Sequence, residues 1–376
     1  MLKLVDVTRW LLILTILVNE ELVEGRTIPN AADNAIIKTI KVDIDEIIDC
    51  YDIYRQPSLN HPLLYNHTIQ MTPSWYPKTL KSNNIKTLQL TQTWHKYGSC
   101  PEGTIPIRRK GKSYDLMSFR KNYDVTDGHE YAIVGVEGKF LGAQAKINLW
   151  KPITEATEIS ISQMWVIAGD NNNKNTIEAG WIVDKELYGD AHTRFFIYWT
   201  TDRYESTGCY NLLCDGFVHT SSNVALGCPF SEVSTFNGSQ KDAAFGIHKD
   251  QKSGHWWIKI QGIHVGYYPS SLFTELSKMA TAVTWGGEVT NSKIKGRHTS
   301  TQMGSGHSPS EGGLKTSSYF NWIQVIDENN MTKDPENIGT YVSNPDCYDL
   351  KIDNSHHDTN GFGFYYGGPG CQRLNI

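Results

Sequence analysis

After residue 18 the 376-residue chain has no apolar run long enough to span a bilayer, and nowhere does it carry an extended block of lysine and arginine. The first absence excludes a later membrane helix. The second, with a formal net charge of −5, removes the electrostatic footprint that nucleic acid or anionic lipid requires. Neither nucleic acid nor a membrane is expected as a partner. Several catalytic signatures are missing as well. The thirteen histidines include no His-Glu-x-x-His, and His356-His357 sits in a polar, turn-like passage where solvated side chains are expected, so no metal is assigned. Asp358-Thr359-Asn360 departs from the Asp-Thr-Gly loop of aspartic peptidases and has no second copy to supply a partner. Gly306-His307-Ser308-Pro309-Ser310 ends in serine where a nucleophile elbow needs glycine. The run Gly367-Gly368-Pro369-Gly370 has no following helix to cradle a phosphate, so no cofactor is expected.

What is present starts with a core, because 39% hydrophobic residues suffice for one large domain and a smaller one. Lys3 and Arg9 lead into the short apolar run Leu11 to Val18, which reads as a cleaved signal peptide over residues 1–25. Seven cysteines in an exported chain point to disulfides. Cys50 and Cys100 lie in the N-terminal part, whereas Cys209, Cys214, Cys228, Cys347 and Cys371 lie later, so each part is expected to close its own bridges. Acceptor triplets for N-glycosylation at Asn66, Asn237 and Asn330 agree with export, and the expected location is extracellular, in the apoplast or cell wall.

Residues 26–125 are mixed in character, and the turn-forming stretch Asn122 to His129 marks a change of pattern. Beyond it, short aromatic and β-branched runs broken by Gly, Asn, Asp and Pro fill residues 126–376, while helix signals almost vanish. Candidate strands are Tyr131 to Val136, Ala143 to Leu149, Ile159 to Ala168, Thr176 to Val183, Arg194 to Thr200, His255 to Ile263, Ala282 to Val289 and Tyr319 to Ile326. One or two helical turns are expected at Ser270 to Ala280. The fold class is all-β: a large antiparallel two-sheet sandwich preceded by a smaller mixed domain.

Two segments place a glutamate between small residues on one strand face. In Thr176 to Val183 the side chains of Ile177, Ala179, Trp181 and Val183 share a face, and Glu178 points the other way between Thr176 and Gly180. In Thr284 to Thr290 the same alternation sets Glu288 between Gly286 and Thr290. Glycine inside a strand marks a close approach of ligand or backbone. Taken alone, this is still the pattern of exposed glutamates on wet sheet faces.

A series of motifs changes that weighting. INLWKP, SISQMWV, NTIEAGWIV, LYGD, YWTTDRY, TGCYNLLCDGFV, WWIKIQGIHVGYYP, VTWGGEV, TQMGSGH and FYYGGPG follow in order between residues 130 and 376. Through them the chain resembles the neprosin family of plant proteins. The N-terminal part resembles that family's activation peptide through DCYDIYRQPSLNHPLLYNHTIQ and CPEGTIPIRR. The resemblance implies a β-sandwich glutamic peptidase that cleaves after proline and is made as a zymogen. Its catalytic pair carries over to Glu178 within IEAGW and Glu288 within WGGEV. It also implies the bridges Cys209 to Cys214 and Cys347 to Cys371, leaving Cys50 to Cys100 as the remaining pair and Cys228 as the odd thiol.

Two adjacent carboxyl groups share a proton in acid, so one serves as base toward water and the other as acid toward the carbonyl oxygen and the leaving nitrogen. Gln163 is expected to point into the same cleft, and Trp181, Tyr198, Trp256 and Trp257 are candidates to line a proline pocket. Proline-containing peptides or proteins are then the expected substrates. The chain's own N-terminal domain is the expected inhibitor, blocking the cleft until acid loosens carboxylate-dependent contacts. Two other readings fit paired carboxylates on a β-sandwich: a glycosidase, and a non-catalytic wall or glycan-binding protein.

Overall fold

The computed structural model describes residues 35–43, 46–79, 91–109, 128–170, 172–293, 298–353 and 361–371. The expected signal peptide, the expected boundary near residue 125, and His356 to Asn360 lie outside the described residues.

In the N-terminal part, β1 (Ile36–Lys41), β2 (Ile47–Asp52) and β4 (Thr104–Arg108) form a small antiparallel sheet in the order β1-β2-β4. The Cys50–Cys100 disulfide pins β2 to the segment that precedes β4. The two-residue strand β3 (Lys78–Thr79) leaves this sheet and runs parallel to β15 (Met331–Lys333). Ile40, Ile48, Cys50, Trp94 and Cys100 are buried together against Ala225 and Cys228, so the small sheet finds its core partly in the larger domain. A three-stranded sheet this small buries too little surface to be stable alone.

The larger domain begins with β5 (His129–Asn148), β6 (Ile159–Ala168), β7 (Asn175–Asp184), β8 (Arg194–Thr200) and β9 (Val218–His219). It continues through β10 (Asp242–Lys249), β11 (Trp256–Ile260), β12 (Ile263–Tyr268), β13 (Ala280–Thr290), β14 (Ser318–Asp327) and β15. The last strands are β16 (Gly339–Val342), β17 (Asp349–Asp353) and β18 (Gly363–Gly367). A single sheet in the order β8-β7-β6-β13-β5-β10-β11-β12-β9 folds over at β5. The first half of β5 pairs with β13 and β16, and its second half with β10 and β14. Two layers result. Layer one is β8-β7-β6-β13-β5, and layer two is β5-β10-β11-β12-β9 with β14 on the far side of β5.

Period-two alternation fills the space between them. Ala179, Trp181, Met164, Val166, Val283 and Trp285 from layer one meet Phe245, Ile247, Trp256 and Ile258 from layer two in one buried cluster. The rings of Phe195 and Phe245 lie 5.8 Å apart across the layers. This is the expected all-β sandwich.

The differences from expectation are local. Tyr131 to Val136 and Ala143 to Leu149 belong to one 20-residue strand, whose irregular register near Phe140 lets it serve both layers. His255 to Ile263 is instead a hairpin, because Gln261 and Gly262 both take positive φ, 47° and 81°, and reverse the chain. At Ser270 to Ala280 the one or two expected turns reduce to a single 3₁₀ turn, Ser270–Leu272. Asn175 Oδ1 accepts from the backbone N–H groups of Thr274, Glu275 and Leu276, taking the donors a helix would have used. Among the described residues no helix is long and apolar enough to cross a membrane.

Candidate active site

Strand register determines what shares the outer face of layer one. Tyr198, Glu178, Trp165 and Thr284 form one cross-strand row on β8, β7, β6 and β13. Phe196, Gly180, Gln163 and Gly286 form the next row. Arg194, Ile182, Ile161, Glu288 and Tyr131 form the third, which reaches β5. Gln163 therefore sits between the two glutamates, with a glycine on each flanking strand. Both glycines are required by close backbone approach. A Cβ on Gly180 would lie 2.0 Å from Ser162 O, and one on Gly286 would lie 2.2 Å from Ala132 O.

Glu178 and Glu288 are buried, at 5% and 7% exposure, which overturns the wet-face reading of their strands. Their surroundings differ. Glu178 Oε1 accepts from Thr176 Oγ1 and from the Tyr204 hydroxyl, each at 2.7 Å. Burial drives the Glu178 carboxyl up to about 7; the Tyr204 hydrogen bond pulls it back, the nearby Glu288 charge pushes it further up, and Thr176 and Gln163 oppose the rise. Glu288 is gripped at both oxygens: Gln163 Nε2 donates to Oε2 at 2.9 Å, and His129 Nδ1 donates to Oε1 at 2.5 Å. Burial lowers the His129 pKa, but the Glu288 contact outweighs it and the imidazole is held above its ordinary value. Gln163 Oε1 is buried and has no partner, so the pocket holds one acceptor in want of a donor.

Local chemistry delivers Tyr204. After β8 the chain turns at Asp202, whose carboxylate accepts from the backbone N–H of Ser206 and of Thr207. Burial would raise Asp202, yet hydrogen bonds from Ser206 and Thr207 hold it down at about 2. Arg203 and Tyr204 take positive φ, 60° and 68°, so the tyrosine swings back over β7.

Of the residues expected at the site, the structure brings together Glu178, Glu288, Gln163 and Tyr198, the last half-buried beside Glu178. Three aromatics do not belong there. Trp181 and Trp256 face the space between the layers, with Nε1 donating to Asn148 O and Leu276 O respectively. Trp257 lies on the outer face of layer two, packed with Val218 and Tyr267 beneath Leu64 of the N-terminal part. Odd and even positions point to opposite faces, and an aromatic residue type does not say which. The sequence reading missed Tyr204, His129, Tyr131 and Trp165. Strand alternation around Gln163 was enough to place Trp165 on the site face, whereas Tyr204 and His129 carry no local signal.

All three expected disulfides are present, Cys50–Cys100, Cys209–Cys214 and Cys347–Cys371. Cys228 is free and buried, its thiol pushed well up by burial and by the Glu46 carboxylate, which it meets at 3.4 Å. Asn66 and Asn237 are exposed, but Asn330 is 4% exposed, so a glycan there would need the turn to open.

A β-sandwich with two buried carboxyl groups joined through one amide defines a carboxylate-pair site of the kind used for acid–base hydrolysis. The neprosin family model matches residues 156–369, and the neprosin activation peptide model matches residues 39–135. The chain belongs to the neprosin family of peptidases and carries that family's activation peptide ahead of the peptidase domain. Among solved structures it is similar to scytalido-glutamic peptidase bound to a peptide-based transition-state analogue: 11% identity over 65% of this chain and 98% of that one, TM-score 0.35. It is also similar to CG-16, a homodimeric agglutinin from chicken liver, at 9% identity over 41% of this chain and 92% of that one, TM-score 0.23.

Proposed function

We propose that this chain is the secreted precursor of an acid-active glutamic endopeptidase that cleaves after proline, with Glu288 as base and Glu178 as acid. The observation that carries the reading is the asymmetry of the pair across Gln163. Glu288 has donors on both oxygens, the setting of an ionised carboxylate, while Glu178 is buried with a carboxyl raised to about 7 and so carries a proton in acid.

In the proposed cycle Glu288 takes a proton from water as the water oxygen attacks the scissile carbonyl. Glu178 donates a hydrogen bond to the developing oxyanion, then gives its proton to the leaving nitrogen as the C–N bond breaks. Glu288 ends protonated and Glu178 ionised, and exchange with solvent resets both. His129 and Tyr204 position the two carboxyl groups. Tyr198, Trp165 and Tyr131 supply the aromatic wall on the site face that suits a proline ring.

The test is an acid-treated preparation assayed on a peptide with one internal proline and on the same peptide with alanine there. Glu178→Gln and Glu288→Gln should each abolish cleavage while the near-ultraviolet spectrum stays unchanged. Substantial residual turnover in either variant removes that residue from the mechanism. Equal rates on the two peptides remove the proline preference alone.

A further inference from the structure

The N-terminal part meets the larger domain along a seam rich in histidine. On the outer face of layer two, Trp257 and Tyr267 pair across β11 and β12, and Leu64, Leu59 and Ile69 of the N-terminal part pack over them. Beyond this apolar patch, Gln70 Nε2 and the Ser74 backbone N–H both donate to Asp250 Oδ2, at 2.8 and 2.6 Å. Between patch and carboxylate lie two imidazoles, His67 from the N-terminal part and His255 from the residue before β11, with ring centroids 5.4 Å apart. The His255 ring stacks flat on Tyr267 at 4.7 Å.

The Tyr267 hydroxyl accepts from the Gln70 backbone N–H at 2.9 Å and shares a hydrogen bond with His67 Nε2, 2.7 Å away. His255 Nδ1 accepts from the Ser270 backbone N–H at 3.3 Å, a role it keeps only while that nitrogen carries no proton. Protonating both rings removes that acceptor and sets two cations side by side in a partly desolvated seam.

We propose that this seam is a proton-operated latch, with His67 and His255 as its sensing pair, that holds the activation peptide on the peptidase domain at neutral pH and releases it on acidification. The proposal rests on the precursor reading above and names how that precursor is regulated. Tyr267 from β12, Asp250 after β10 and Lys249 at the end of β10 are the titratable and charged groups that face the pair. Lys249 opposes charge on His255, and Asp250 favours it, but Asp250 is already shared between Gln70 and Ser74. Burial holds His67 below its ordinary value, and burial with the neighbouring His67 takes His255 down to about 4.

The Asp250 carboxylate on the same seam acts later in an acid titration. Burial would raise Asp250, but the hydrogen bonds it accepts hold it below its ordinary value, so it yields only in stronger acid.

The latch is tested on the full-length Glu178→Gln precursor, in which release can be read without cleavage. Hydrogen exchange of residues 57–79, corrected for intrinsic rates, is followed from pH 7.5 to 3.5. Protection should be lost with a midpoint between the ordinary histidine value of 6.5 and about 4. Adding His67→Gln and His255→Gln, which keep an acceptor but cannot charge, should lower the midpoint by about one pH unit, a tenfold change in proton concentration. His67→Lys should expose the segment already at pH 7.5. A midpoint that does not move in the double variant overturns the proposal. So does a parent midpoint below 4. Should the double variant fail to dock, His255→Gln alone, outside the N-terminal part, must still lower the midpoint. Self-cleavage of the Glu178→Gln precursor would instead refute the two-glutamate reading and leave the latch measurement standing.

Discussion

The two outer faces of the sandwich are built alike, from alternating strands with titratable groups set among aromatic rings, yet they answer acid in opposite senses. On layer one the Glu178 carboxyl is raised to about 7, above its ordinary 4.5. Its contribution to stability is full below about 4.5 and is lost as pH rises through 7. On layer two His255 and His264 are lowered to about 4 from 6.5, chiefly by burial. Their contribution is full above 6.5 and is lost as pH falls through 4. Burial favours the neutral form in both places. Because a carboxyl is neutral when protonated and an imidazole when deprotonated, one fall in pH suits the first face and unsettles the second.

The sharpest break in this comparison comes from chemistry. Glu178→Gln or Glu288→Gln should lower kcat by about three orders of magnitude, measured on the acid-treated enzyme, and neither should affect acid release of residues 57–79. Tyr204→Phe removes a donor that holds Glu178 down, so the Glu178 value should rise further. The basic limb of the pH–rate profile should then move to higher pH, with kcat reduced about tenfold. His129→Gln should reduce kcat by a similar factor with KM unchanged, because it loosens one grip on Glu288 and touches no aromatic wall. Unfolding of the precursor followed against pH gives a subtler test. Relative to the parent, Glu178→Gln should gain on the order of 3 kcal/mol between pH 4.5 and 8, since it removes the cost of ionising a buried carboxyl. Tyr198→Ala should have the smallest effect, raising KM for proline peptides a few-fold while kcat and the latch stay unchanged.

Much of the fold was legible because it follows from local periodicity. The strands Ile159–Ala168 and Arg194–Thr200 have the bounds expected of them, and alternation put Trp181 opposite Glu178. That alternation already contradicted Trp181 as a wall of the cleft, since a residue three positions from Glu178 points to the other face. Trp256 and Trp257 are adjacent in sequence and lie on opposite faces of β11, one in the core and one under the N-terminal part. Neither residue type nor spacing distinguishes them. Of the one or two helical turns expected at Ser270 to Ala280 only a 3₁₀ turn forms, because the competing partner, Asn175, comes from β7, a hundred residues upstream.

The chain by itself determined the strand content, the face on which each glutamate stands and the motifs that bear the family likeness, all of which depend on neighbours two to four residues away. Tertiary structure decided the rest. Pairing of β13 with the first half of β5 sets Glu288 beside His129, the turn at Asp202 carries Tyr204 to Glu178, and the N-terminal part brings His67 to His255. In each case an ionisable group acquires its protonation preference from burial and from partners distant in sequence, and those are fixed only when the layers close.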